Sequence, residues 1–108
     1  MILNVFERLL IRNIVPQIQG WNYAHMKEAR ELLEGLFTEQ EETDLQFEQV
    51  ETQVKWRVAQ EDGTPIPQER DIPVSDGLKS KVGKFLKQLD KEEKLDFSHM
   101  TLYGKFVE

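Results

Sequence analysis

Apolar positions recur first at helical intervals, then alternate, then return to helical intervals. Phe6, Leu9, Leu10 and Ile14 fall on one helical face, and Asn4 with Glu7 three places on has the form of a capping box. This predicts a first helix over about 4–14. Pro16, which cannot donate to a helix and restricts the residue before it, ends the run. Gln17 to Trp21 reads as a turn, and Asn22 as the cap of a second helix running to about 37. Met26, Ala29, Leu33, Leu36 and Phe37 are expected on its buried face. Thr38 with Glu41 repeats the capping-box logic for a short helical turn, Glu39 to Asp44, whose carboxylates suit the positive end of a helix dipole.

From Phe47 the period drops to two. Val54, Trp56 and Val58 alternate with Gln53, Lys55, Arg57 and Ala59, the pattern of a strand with one buried face, and Phe47 and Val50 fit a preceding strand. Asp62-Gly63 makes a turn, after which Arg70 to Val74 returns as a partner or edge strand interrupted by Pro73. Ser75 or Asp76 caps a fourth helix with Leu78, Val82, Phe85, Leu86 and Leu89 as its apolar stripe and Gly83 as a slight weakness. Ser98 is expected to cap a last helix, with Phe97 and Leu102 as a hydrophobic staple and Phe106 on the same face. The expected fold is α+β: a small single domain over 1–108 with two N-terminal helices, a central two- or three-stranded antiparallel hairpin or sheet, and two C-terminal helices. Leu33, Phe37, Trp56, Phe85 and Leu89 are expected to meet in its core.

Composition narrows the chemistry. The 108 residues contain no Cys, which excludes disulfides, thiolate nucleophiles and Cys-ligated metals. No apolar run approaches the roughly 20 residues that cross a bilayer, and no basic leader with a small-residue cleavage site opens the chain. A cytoplasmic protein without membrane contact is expected. The net charge of -6 opposes non-specific attraction to nucleic acid for the chain as a whole. That charge is unevenly spread. Residues 38–54 hold six acidic groups and no basic one, whereas 79–94 hold six Lys against three acidic residues.

The Phe37-Thr38-Glu39-Gln40-Glu41-Glu42 turn after an amphipathic helix, the strand around Trp56, and the ending Leu89-Asp90, Lys94-Leu95, Leu102-Tyr103-Gly104-Lys105-Phe106 resemble small accessory proteins encoded by tailed phages and prophages. The resemblance spans most of the chain. It implies a phage or prophage origin, hence the host cytoplasm, and an accessory role; it carries over no catalytic residue.

The residues themselves point away from catalysis. Two imidazoles, His25 and His99, lie outside any nucleophile motif, and Ser98 next to His99 diverges from it by about 100° on a helix. His25 with Glu28 shares a helix face but lacks the further ligands a metal needs. Six scattered glycines form no phosphate-binding loop. No catalytic residue, metal, cofactor or small-molecule substrate is therefore expected. The expected activity is protein binding, either to a partner or to itself, through the acidic residues Glu39, Glu41, Glu42 and Asp44 or the lysine face Lys84, Lys87 and Lys91. Trp21 or Tyr103 would be the apolar anchor. The alternative is a small nucleic-acid-binding regulator using the Lys-rich helix 78–94 and the central hairpin.

Overall fold

The structure, a computed structural model, describes all residues 1–108 and contains five helices and two small antiparallel sheets. Strand β1 (Ile2–Asn4) leads directly into helix α1 (Val5–Ile14), where the Asn4–Glu7 capping box forms in full. Pro16 turns the chain into one 3₁₀ turn, and Asn22 caps α2 (Tyr23–Gly35) by accepting from the His25 amide. The Thr38–Glu41 box starts α3 (Glu39–Leu45), which ends at Gln46 in the left-handed conformation. Strands β2 (Glu48–Val50) and β3 (Gln53–Lys55) make a hairpin with Gln49 opposite Val54. Strand β4 (Glu69–Asp71) precedes α4 (Asp76–Lys91), capped by Ser75. A 3₁₀ turn and α5 (Met100–Phe106) complete the chain.

The α+β class and the caps at Asn4, Asn22, Thr38 and Ser75 agree with expectation; the strand arrangement does not. Instead of one central sheet there are two, because the segment after Arg70 does not return to the hairpin. β4 pairs with β1, placing Ile2 opposite Asp71 and Asn4 opposite Glu69. This closes the chain between its two halves, and the Ile72 amide extends the pairing by donating to Met1 O. The predicted strand through Val58 stops at Lys55. Its alternation fails there, since Val58 is 64% exposed and Trp56 only half-buried.

Eighteen buried apolar residues form one cluster, including Leu3, Ile11, Leu36, Leu45, Ile72, Val82, Leu86 and Leu102. Of the five residues expected at its centre, Phe37 is buried, whereas Leu33, Trp56, Phe85 and Leu89 pack against its margin. On α2 the buried line runs through Ala29, Leu32 and Leu36, leaving Met26 half exposed. Gly83 is more than a weak spot in α4. A Cβ there would stand 2.9 Å from Phe106 O, so the missing side chain lets α5 pack closely on α4. Gly77 does the same for His25 of α2, whose Nε2 lies 2.8 Å from where a Cβ would sit.

The largest departure concerns α1. It buries Val5, Ile11 and Ile14 but also Glu7 and Arg8, both fully, while Phe6 is 41% exposed. Arg8 reaches the unpaired carbonyls beyond α2, donating from Nη1 to Leu36 O at 2.9 Å and to Glu41 Oε2 at 2.6 Å. From Nη2 it donates to Gln68 O at 3.1 Å. Arg70 of β4 completes the arrangement, bonding Glu41 Oε1 at 2.9 Å and the Gly35 and Leu36 carbonyls. Two guanidinium forks thus satisfy the negative end of α2, a task a short-loop C-cap would otherwise perform. Burial acts to raise the Glu41 pKa. The Arg8 hydrogen bond, the Thr38 amide and the charges of Arg8 and Arg70 outweigh that and hold it below its ordinary 4.5. Glu7, the other capping-box glutamate, accepts from Lys105 Nζ at 2.7 Å, which ties α5 to the start of α1.

Candidate partner-binding surface

The last two elements build an exposed apolar cleft. Asp96, not Ser98, caps the 3₁₀ turn Phe97–His99: its carboxylate accepts from the Ser98 amide and hydroxyl, and His99 Nδ1 accepts from the Asp96 amide. The hydrogen bond from the Ser98 hydroxyl leads the causes that hold the Asp96 carboxyl below its ordinary range. Moving the cap two places upstream puts Phe97 inside the turn and away from Leu102. The expected staple is absent, and Phe97 is 89% exposed. Met100, one turn on, is 63% exposed. Together with Leu95, Asp96, His99, Tyr103, Gly104 and Glu108 they line a cleft of about 590 Å³. Meanwhile Leu102 and Phe106 bury the opposite side of α5.

Tyr103 is half-buried at this cleft, and its hydroxyl points to Asp90 of α4 at 3.4 Å. Burial, with the negative charges of Asp90 and Glu108, raises its phenol above the ordinary range. Tyr103 therefore stays neutral and presents an amphipathic ring at the edge of exposed apolar surface, the kind of group that anchors interfaces.

The other predicted contact residues lie elsewhere. Trp21 is half-buried; its Nε1 donates to Ile18 O at 2.9 Å and the Lys81 ammonium sits 5.3 Å from its ring, so its polar handle is used internally. Glu39 and Glu42 stand exposed on the first turn of α3, and Asp44 accepts from Gln40. Glu41 is set apart from these three by its two arginines, and contributes to the fold. Lys84, Lys87 and Lys91 are exposed on α4, opposite Leu78, Val82 and Leu86, and none enters an ion pair. Phe97 and Met100 were not singled out from sequence. The available signal was Asp96 with His99 three places on, which competes with Ser98 for the cap and turns Phe97 outward.

A second apolar groove, about 800 Å³, lies between α1 and the β2–β3 hairpin. Phe6, Leu9, Leu10, Val54 and Trp56 form its apolar lining, with Arg12 as the one charged residue. Elsewhere, His25 packs on Gly77, and Glu28 accepts from the Ser75 hydroxyl at 2.8 Å. No three His, Asp or Glu side chains are grouped to hold a metal ion. No helix is long and apolar enough to cross a membrane. No protein-family model, curated protein or solved structure matches the chain.

Proposed function

We propose that this chain is a non-enzymatic protein-binding domain, acting in the cytoplasm in the accessory role that its resemblance to phage and prophage proteins implies. The observation that carries the reading is the exposure of Phe97 and Met100 beside Tyr103. Large apolar side chains clustered in a concavity with a polar rim favour covering by another protein, because each exposed one gains about 1.5–3 kcal/mol on full burial. Charged surfaces on α3 and α4 then steer encounter more than they hold the complex, since isolated exposed pairs contribute about 0–1 kcal/mol each. The test is capture from the cytoplasm of the producing cell by the wild-type chain and by a Phe97→Ser/Met100→Ser variant. One protein retained by the first and lost from the second, with the circular dichroism spectra superimposable, is the expected result. Equal retention by both chains sinks the reading.

The unpaired Lys84, Lys87 and Lys91 support a second reading, duplex nucleic-acid binding through α4. It requires a gel shift at micromolar protein and near-physiological salt that steepens as salt falls and disappears when the three lysines become Glu. The protein-binding reading expects no such shift.

A further inference from the structure

Resting on the protein-binding reading, we infer that the occupant of the C-terminal cleft is an amphipathic segment of a partner that sets Lys or Arg beside its apolar residues. Its floor is apolar and adaptable. Phe97 offers a nearly free ring, and Met100 an unbranched, polarizable side chain that can reshape around differing apolar groups. Leu95 and Tyr103 extend that floor. Asp96 and Glu108 are lining residues, Asp90 stands at the Tyr103 hydroxyl, and no Lys or Arg lines the cleft; the one imidazole there, His99, is turned to the cap, with Nδ1 accepting from the Asp96 amide. Lys94, close in sequence, is turned to Glu92 at 3.8 Å. Burial is the leading cause of the raised Tyr103 phenol, and the charges of Asp90 and Glu108 add to it by opposing a further negative charge there. An acidic or phosphorylated segment would meet three carboxylates around an apolar floor, an arrangement that costs affinity through like-charge repulsion. A basic amphipathic segment instead inserts its apolar side chains over Phe97 and Met100 while its cations reach the rim.

A second copy of the chain fits less well. The positive face of α4 displays Lys84, Lys87 and Lys91 but has no exposed large apolar side chain to insert, and α3 brings further acid. The groove between α1 and the hairpin, whose lining has no acidic residue, is a surface of different chemistry and would not select the same segment.

The experiment titrates the intact chain by calorimetry with two synthetic 14-residue amphipathic peptides, one of Leu and Lys and one of Leu and Glu. The Leu/Lys peptide is expected to bind saturably, at least tenfold more tightly than the Leu/Glu peptide. Asp90→Lys/Glu108→Lys, which leaves the capping Asp96 in place, should weaken it at least tenfold. Glu39→Lys/Glu42→Lys on α3 changes the net charge equally and should weaken it less than threefold. Phe97→Ser/Met100→Ser should abolish saturable binding. Equal binding of both peptides, lost in the Phe97/Met100 variant, overturns the basic partner and leaves the docking surface standing. Equal weakening by the two charge reversals reduces the effect to overall charge and overturns it too. Concentration-dependent dimerisation of the free chain, removed by the Phe97/Met100 change, would make a second copy the occupant. Failure of both peptides to bind, or binding indifferent to Phe97 and Met100, overturns the inference, and in the latter case the cleft as docking site with it.

Discussion

Helices α1 and α4 carry comparably clear apolar patterns and use them in opposite ways. In α4 the stripe chooses the buried face: Leu78, Val82 and Leu86 are inside, Phe85 and Leu89 flank them, and the lysines face water. In α1 the stripe Phe6, Leu9 and Leu10 is half-covered, while Glu7 and Arg8 lie fully inside beside Val5, Ile11 and Ile14. The difference lies in what each helix meets. α4 packs its apolar stripe against α2 and α5, with Gly77 and Gly83 allowing close approach, so apolar area decides its rotation. α1 meets, through Arg8, a converging set of acceptors: Leu36 O after α2, Gln68 O before β4, and the Glu41 carboxylate. Those acceptors need donors once water is excluded, and an unpaired one costs more than a half-exposed Leu loses. A guanidinium with five fixed N–H groups answers several at once.

The contrast breaks most severely at Arg8. Truncation to Ala leaves Glu41 and Leu36 O with Arg70 alone and Gln68 O without its guanidinium donor, and should cost about 3–5 kcal/mol in urea unfolding, as breaking a buried ion pair does. A loss under about 1.5 kcal/mol would mean that water replaces the guanidinium. In α4, Leu86→Ala should cost about 2–5 kcal/mol and exceed Phe85→Ala, since Leu86 is fully buried and Phe85 is not. The reverse order would show that the stripe is rotated toward Phe85. Gly83→Ala gains about 1 kcal/mol of helix propensity but forces a Cβ against Phe106 O at a cost of about 1–3 kcal/mol. A lower thermal midpoint is expected, and a higher one would mean that α5 yields easily.

Acid sharpens the α1 side alone. Because the folded pKa of Glu41 lies below its unfolded value, its contribution is complete above about pH 4.5 and is lost as pH falls through the lowered value. Glu41→Gln should therefore flatten the acid limb of a stability profile while leaving the α4 variants parallel to wild type; an unchanged limb would count against the ionised pair. The smallest effect is at Phe6, where change to Ser should stay within about 1 kcal/mol despite its place in the most regular apolar pattern of α1.

The caps and the α4 stripe were legible because they depend on residues within four positions of each other. Asn4 with Glu7 and Thr38 with Glu41 satisfy helix amides whatever the rest of the chain does. The same glutamates also serve as tertiary anions, Glu7 for Lys105 and Glu41 for Arg8 and Arg70, and no local spacing announces that. Tyr103 was legible as a candidate anchor, but its neighbours Phe97 and Met100 depended on which of two adjacent caps prevailed. By itself the sequence determined the helices, the starts of the first four and the polarised charge, since all of these follow from short-range hydrogen bonding and composition. The β1–β4 pairing and the inward turn of Glu7 and Arg8 were decided only by the tertiary structure. Each depends on which distant backbone groups lose water together, and that is set when segments some 30 to 100 residues apart come into contact.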